Sequence, residues 1–432
     1  MTATNTAGVA RTNWAGNVVF HPSSFHSPTT LAELQRLVAA SRAVRVLGSG
    51  HSFSPVADTS GDMISLSAMP HILEIDAAAQ TVRVDASVRY GTLARELHHA
   101  GWALPNLGSL PHITVAGACA TGTHGSGDGN GSLATAVCAI ELVTASGDVV
   151  VIDRERDPDV FPGAVVALGT LGAVFALTLR IEPTFDVRQS VYDDVPWPDA
   201  LARLDELFAA GYSVSLFASW ASQVFDQVWV KRRISDGAAG DSDSSTVIDW
   251  LAPRAATTPR HPVAGVDPIV CTQQLGVAGP WHERLPHFRL DFTPSTGDEL
   301  QSEFFVDRRD AVAALEALDP MRDRIAAVLQ VGELRTIAAD SLWLSMCCGR
   351  DSLAVHFTWV PDISRVAPVL AEVESRLAPF GARPHWGKVF SIEPSDVASR
   401  VPRLADAVAL ADRFDPVGAF RNGFTDRYVR GC

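Results

Sequence analysis

A short apolar run that passes straight into a glycine pair, with one histidine between two serines, constrains this chain more than any other stretch. It reads Arg45-Val46-Leu47-Gly48-Ser49-Gly50-His51-Ser52-Phe53. Val44, Val46 and Leu47 favour a strand. Gly48 and Gly50 allow positive φ and a close approach of backbone to a ligand. Ser49 and Ser52 add hydroxyls, and successive N–H groups in such a turn form a concavity suited to phosphate. The stretch can therefore hold a diphosphate, and His51 offers it a ring nucleophile. It is not a Rossmann fingerprint: the third glycine is missing, and Ser54-Pro55 to Asp62 cannot open a regular helix. Nor is it a Walker loop, because the only two lysines, Lys231 and Lys388, stand outside any Gly-x-x-x-x-Gly-Lys pattern.

A second glycine-rich segment lifts the loop above an ordinary turn. From Leu104 to Gly127 the chain is mostly Gly, Ala, Ser and Thr, with His112 and His124 among them. So long a run of bare backbone is entropically costly unless something lies against it, and a flat cofactor suits it. Gly169-Thr170-Leu171-Gly172-Ala173-Val174 makes a third small-residue turn.

Periodicity gives an α/β opening. A helix is expected over Leu31–Ser41 with Thr29 or Thr30 as its cap, and another from Thr92 to Ala100. Strands are expected at 18–20, 63–66, 72–75 and 81–84, and a hairpin pairs 140–143 with 149–152. Phe161 to Leu168 reads as helical. Beyond Glu182-Pro183 the texture changes to longer helices and tryptophans. There we expect a helix over 196–211, strands at 212–220, 228–233, 303–306, 342–345 and 354–359, helices at 309–318 and 365–377, and a mobile loop at 237–258. The division is a first domain over 1–185, a second over 186–383, and a 384–432 segment that returns to the first.

Charge and cysteine usage narrow the function. At 432 residues, 47% hydrophobic and 19% charged, the chain can bury a large core. A net charge of −14 without a basic block argues against nucleic acid and anionic membrane. The six cysteines form no C-x-x-C pair, so neither a disulfide framework nor a metal site is expected. With no apolar leader or bilayer-length run, a cytoplasmic protein is expected, and a monomer.

Several polar residues sit inside apolar strand-like runs. Glu333 and Arg335 alternate, as do His356 and Thr358, so each pair shares a sheet face. Gln301 and Glu303 precede Phe304-Phe305, and Lys388 stands among His385, Trp386 and Phe390. Singly, each reads as a surface ion pair, a core histidine or a snorkelling lysine. Together they would make one face of a pocket that binds hydroxyls, activates one of them, and holds a cation near a forming anion.

These motifs resemble those of the vanillyl-alcohol-oxidase-type flavoproteins, within them the alditol (xylitol) oxidases and, more distantly, the sugar-1,4-lactone oxidases. The resemblance rests on 45–53, Ser-Leu-Pro-His-Ile at 109–113, Ala-Thr-Gly-Thr-His-Gly-Ser-Gly at 120–127, Gly-Pro-Trp-His-Glu-Arg-Leu-Pro-His-Phe at 279–288, Leu-Gln-Ser-Glu at 300–303, Glu-Leu-Arg-Thr at 333–336, His-Phe-Thr-Trp at 356–359 and His-Trp-Gly-Lys-Val-Phe at 385–390. It implies an α+β, two-lobed FAD-binding domain with a sheet-based substrate cap. It implies FAD bonded covalently to His51, with contacts from Gly48, Ser49, Gly50, Ser52, Ser109, His112, Thr114, Gly117, Gly122, Thr123, Gly125, Gly172, Val174 and Lys388. Substrate would meet Ser109, Gln301, Glu333, Arg335 and Thr358, and His356, Lys388, Glu333 and Arg335 would carry the chemistry, His356 as proton acceptor.

The implied reaction takes a terminal alcohol of a small polyol such as xylitol, sorbitol or glycerol to the aldehyde, with O2 reduced to hydrogen peroxide. The alternative is an aldonolactone oxidase or dehydrogenase of the same fold; a flavin carrier would not need this pocket. Gly108, where alanine is expected in some relatives, is a candidate control on oxygen access.

Overall fold

Thr30 starts the first helix as its composition requires. Its hydroxyl accepts from the Glu33 backbone N–H, and the Glu33 carboxylate accepts in turn from Thr29 N–H at 2.8 Å. The helix runs Leu31–Ala40 and buries Leu34 and Val38. It leads into a three-stranded parallel sheet, with the strand Asp62–Ile64 between Ser24–His26 and Val44–Val46. The glycine loop thus leaves the C-terminal end of an edge strand. The computed structural model describes residues 11–234, 246–292 and 297–431.

A five-stranded antiparallel sheet follows, ordered Leu73–Asp76, Thr81–Asp85, Ala173–Arg180, Val137–Val143 and Val149–Asp153. The short helix Val115–Thr121 packs on its central strand, and the helix Tyr90–His99 packs against the strand Trp102–Ala103. The second half forms an eight-stranded antiparallel sheet. Its order is Gly279–Pro280, Asp186–Pro196, Val224–Ile234, Ser213–Ala218, Leu329–Ile337, Ser352–Trp359, Leu300–Asp307 and Arg383–Pro384. One continuous apolar cluster, from Leu34 to Val429, runs beneath both halves.

The last segment threads back toward the start. Phe53 N–H donates to Gly387 O at 2.7 Å, and Val44 N–H to Ala419 O at 2.7 Å. The buried Arg45 guanidinium donates to the carbonyls of Val56, Leu168, Gly169 and Phe420. Among the described residues no helix is long and apolar enough to cross a membrane.

Several local expectations are corrected. Residues 18–20 make only an isolated bridge, Thr12 to Val19. The helix from Phe161 stops at Ala164, because Trp343 crosses it at Gly163 and Leu168 takes φ +52°. The 196–211 helix is two, Trp197–Ala202 and Leu204–Ala209, broken at Arg203. Residues 342–345 turn rather than extend, since the Asp340 carboxylate accepts from Leu342 N–H and the Ser345 hydroxyl. Within the expected mobile loop, Thr246–Leu251 is helical; residues 237–245 lie outside the described residues.

Candidate active site

The two glycine-rich segments meet. A side chain at Gly48 would lie 2.4 Å from Thr114 Oγ1, and one at Gly117 would lie 2.9 Å from the same atom. Thr114 N–H donates to Ser49 Oγ at 3.3 Å, and Gly50 takes φ +69°. Only glycine permits this approach. Thr114 Oγ1 is itself buried with no hydrogen-bond partner. A bare backbone cradle with an orphaned hydroxyl aimed along it fits a flat dinucleotide.

The cradle lines a cavity of about 720 Å³, large enough for a sizeable ligand. His51 is in its wall, with the Trp14 ring at 5.1 Å. Burial first, then His112 and Arg89, pull its pKa down to about 4. The imidazole is therefore neutral near pH 7 and keeps a free lone pair.

The opposite wall is the eight-stranded sheet. Registry sets Glu303, His356 and Glu333 side by side on three adjacent strands, with Gln301 beside Thr358. All are on one face, as alternation requires. The buried Glu303 carboxylate is the hub. Oε1 accepts from Arg335 Nη2 at 2.7 Å, and Oε2 from Lys388 Nζ at 2.7 Å. These cations hold Glu303 well below the usual carboxylate range despite its burial. Lys388 Nζ is also 2.7 Å from His356 Nδ1, whose Nε2 is 3.0 Å from Thr358 Oγ1. Burial, then the Lys388 charge, lowers His356 to about 4. Arg335 Nη1 donates to Ser109 Oγ at 3.1 Å, tying this wall to the cradle side.

Glu303, His124 and His385 present ligand atoms within 4.8 Å of one another. Both Glu303 oxygens are already neutralised by Lys388 and Arg335, so the three do not make a metal centre.

Of the residues expected in the site, Gly48, Ser49, Gly50, His51, Ser52, Ser109, Thr114, Gly117, Thr123, Gln301, Glu333, Arg335, His356, Thr358 and Lys388 all line the one cavity, as does Gly108. His112, Gly122, Gly125, Gly172 and Val174 do not. His112 Nε2 donates to Leu290 O at 2.9 Å. Gly122 closes the helix Val115–Thr121 in the left-handed conformation. Gly125 and Gly172 permit close backbone packing, against Leu107 O and Val143 O. Sequence reasoning placed Glu303 among the pocket's polar residues but gave it no role, and it passed over His124, His287 and the second lysine, Lys231. The scarcity of lysine in so arginine-rich a chain was the available signal.

The chain matches the FAD binding domain family over residues 22–153. It matches the D-arabinono-1,4-lactone oxidase family over residues 298–428. It is 49% identical to the alditol oxidase of a Streptomyces species, over 96% of this chain and 98% of that one. It is 27% identical to the L-gulonolactone oxidase of Mus musculus, over 97% of this chain and 98% of that one. Among solved structures it shares the fold of cholesterol oxidase from B. sterolicum, with TM-score 0.75 at 14% identity, over 97% and 96% of the two chains.

Proposed function

We infer the reaction from one premise: the chain belongs to the vanillyl-alcohol-oxidase-type FAD flavoproteins, among the alditol oxidases. It is an FAD-dependent oxidoreductase. Its proposed substrate is a small polyol, oxidised at a terminal alcohol to the aldehyde with O2 as acceptor and hydrogen peroxide as product. The supporting observation is that the glycine cradle and the hydrogen-bonded chain Lys388–His356–Thr358 face one cavity.

The residues present fit FAD. Gly48, Gly117 and the orphaned Thr114 hydroxyl would hold it, and neutral His51 would bond to it. Bound FAD supplies a two-electron acceptor for the substrate C–H bond. Glu333, Arg335, Gln301 and Ser109 bind and orient the polyol hydroxyls, and discriminate by leaving buried polar groups unpaired with a wrong substrate.

The proton follows from the hydrogen-bond pattern. With Lys388 as an ammonium, His356 Nδ1 accepts from it and Nε2 must carry its hydrogen, so His356 cannot act as a base. With Lys388 neutral, Nδ1–H donates to Lys388 and Nε2 keeps its lone pair, turned to the Thr358 hydroxyl. His356 then takes the substrate hydroxyl proton at Nε2 and passes its Nδ1 proton to Lys388. The ammonium formed offsets the negative charge delivered as the C–H bond breaks. Desolvation lowers the Lys388 pKa, although Glu303 opposes it.

An aldonolactone as substrate is the second reading, favoured by the family match over 298–428. Product analysis with xylitol and a sugar-1,4-lactone tests both. Turnover of the lactone with no aldose or peroxide from xylitol would overturn the first.

A further inference from the structure

Lys231 is a buried lysine in the middle of the strand Val224–Ile234, and it is 1% exposed. An ammonium there costs desolvation that a methionine would avoid. Its three donors meet three acceptors: Leu285 O at 2.5 Å, Pro286 O at 3.3 Å and His287 Nδ1 at 3.1 Å. A flat guanidinium does not match that tetrahedral set. Burial lowers Lys231 to about 7, so its own protonation does not fix the tautomer. The ionised Glu333 carboxylate can only accept, so Nδ1 accepts from Lys231 and the hydrogen of neutral His287 sits on Nε2. That atom lies 2.8 Å from Glu333 Oε1. The imidazole is clamped edge-on by Phe217 and Trp229, and its backbone N–H donates to Ser109 O at 3.0 Å.

We propose that Lys231 and His287 are positioning residues for the substrate-binding carboxylate Glu333. The lysine anchors the imidazole at Nδ1, and the imidazole holds Oε1 by a hydrogen bond. With Arg335 Nε also nearest Oε1, at 3.5 Å, Oε2 is the atom left to accept a polyol hydroxyl. Without the lysine, Nδ1 loses its donor and His287 can place its hydrogen there. Its Nε2 lone pair then faces the carboxylate, which turns away. Arg335 and His287 together keep Glu333 ionised, well below the usual range, against its burial. The inference rests on the reading of Glu333 as a polyol contact.

The test is a double-mutant cycle on the FAD-loaded protein with xylitol. KM and kcat are measured, and xylitol affinity is read without turnover from the perturbation of flavin absorbance under anaerobic conditions. Glu333→Gln should raise KM; if it does not, the polyol-contact reading falls and this inference with it. Lys231→Met should raise KM about tenfold or more and change kcat less than about threefold, a loss of uniform binding. In the Glu333→Gln background it should add no further weakening. If Lys231→Met does not fold, His287→Leu takes its place in the cycle. His287→Gln, which can accept from Lys231 and donate to Glu333, should recover most of the affinity lost in His287→Leu. Unchanged KM, an equal effect in both backgrounds, or no recovery with Gln would overturn the proposal.

Discussion

Lys388 Nζ lies 2.7 Å from Glu303 Oε2, and that carboxylate is fully buried. The pair sets the protonation state on which the proposed proton relay depends. The groups that act on Lys388 are Glu303 and Glu333, which favour its charge, and Arg335, which opposes it, while burial is the largest influence and favours the neutral form. His356 and His385, both held neutral by burial, also adjoin it. The neutral amine is the active form, so kcat/KM for xylitol should rise with pH. Its inflection should fall below the usual lysine value of 10.5. A profile flat or falling from pH 6 to 10 would remove the relay.

Replacing Glu303 by Gln leaves Arg335 and Lys388 facing each other without their shared anion. Breaking a buried pair from one side costs on the order of 3–5 kcal/mol. Urea unfolding should therefore show a loss of about that size. The surviving enzyme should carry a signature that destabilisation alone would not give: the kcat/KM inflection moves to lower pH, because the carboxylate that raised Lys388 is gone.

His51 should carry the flavin through a covalent bond. The wild-type protein, denatured on a gel, should keep its yellow fluorescence on the peptide that contains His51. His51→Ala should release all flavin on denaturation while still binding it when folded, since Gly48, Gly117 and Thr114 remain. With the His51 pKa at about 4, the nucleophile is neutral throughout the physiological range, so attachment of added FAD to apoprotein should be independent of pH between about 5 and 8. Flavin that washes out of the wild type would discard the bond.

Acid should destabilise the fold through its buried histidines. His287 and His356 are each pulled from 6.5 to about 4 by burial. Unfolded, they bind protons below about 6.5, whereas folded they stay neutral to about 4. The unfolded state thus takes up more protons in that window, and stability is full above it and lost as pH falls through it. The slope is about 1.4 kcal/mol per pH unit for each such imidazole. Urea midpoints measured from pH 7 to pH 4.5 should fall, and a constant midpoint would show these rings to be protonated when folded.

Alternation made part of the site legible. Glu333 with Arg335, and His356 with Thr358, were readable as pairs on one face because strand periodicity fixes which side chains point together. Which pairs become neighbours is a matter of registry. No local pattern says that Glu303 falls opposite His356, or that Lys388, 85 residues further on, lands on its carboxylate. Lys231 escaped for the same reason: its partners come from the 285–287 segment and not from its own strand. The glycine loop was legible because its backbone requirements are local. The misread elements failed where side-chain contacts overrode the apolar pattern: the distant Trp343 at Gly163, and the neighbouring Asp340 carboxylate, which turns residues 342–345.

Gly108 offers a last test, of oxygen access. It lines the cavity immediately before Ser109, between the cradle and the polar wall. An added methyl would meet His124 O at 3.7 Å, Thr123 Cγ2 at 3.8 Å and Ile113 Cδ1 at 3.9 Å, all ordinary contacts, and the residue does not need positive φ. Gly108→Ala should therefore fold with stability unchanged or raised by about 0.4–1 kcal/mol through the unfolded chain. Any kinetic change then belongs to the cavity itself. Stopped-flow mixing separates the two halves of turnover. Reduction of the flavin by xylitol should keep its rate within about twofold, since the polyol contacts are untouched, while reoxidation by O2 should slow about tenfold or more, a barrier increase of about 1.4 kcal/mol. An unchanged reoxidation rate would mean that Gly108 serves the turn alone; equal slowing of both halves would mean that the methyl displaces the flavin instead of narrowing a path to it.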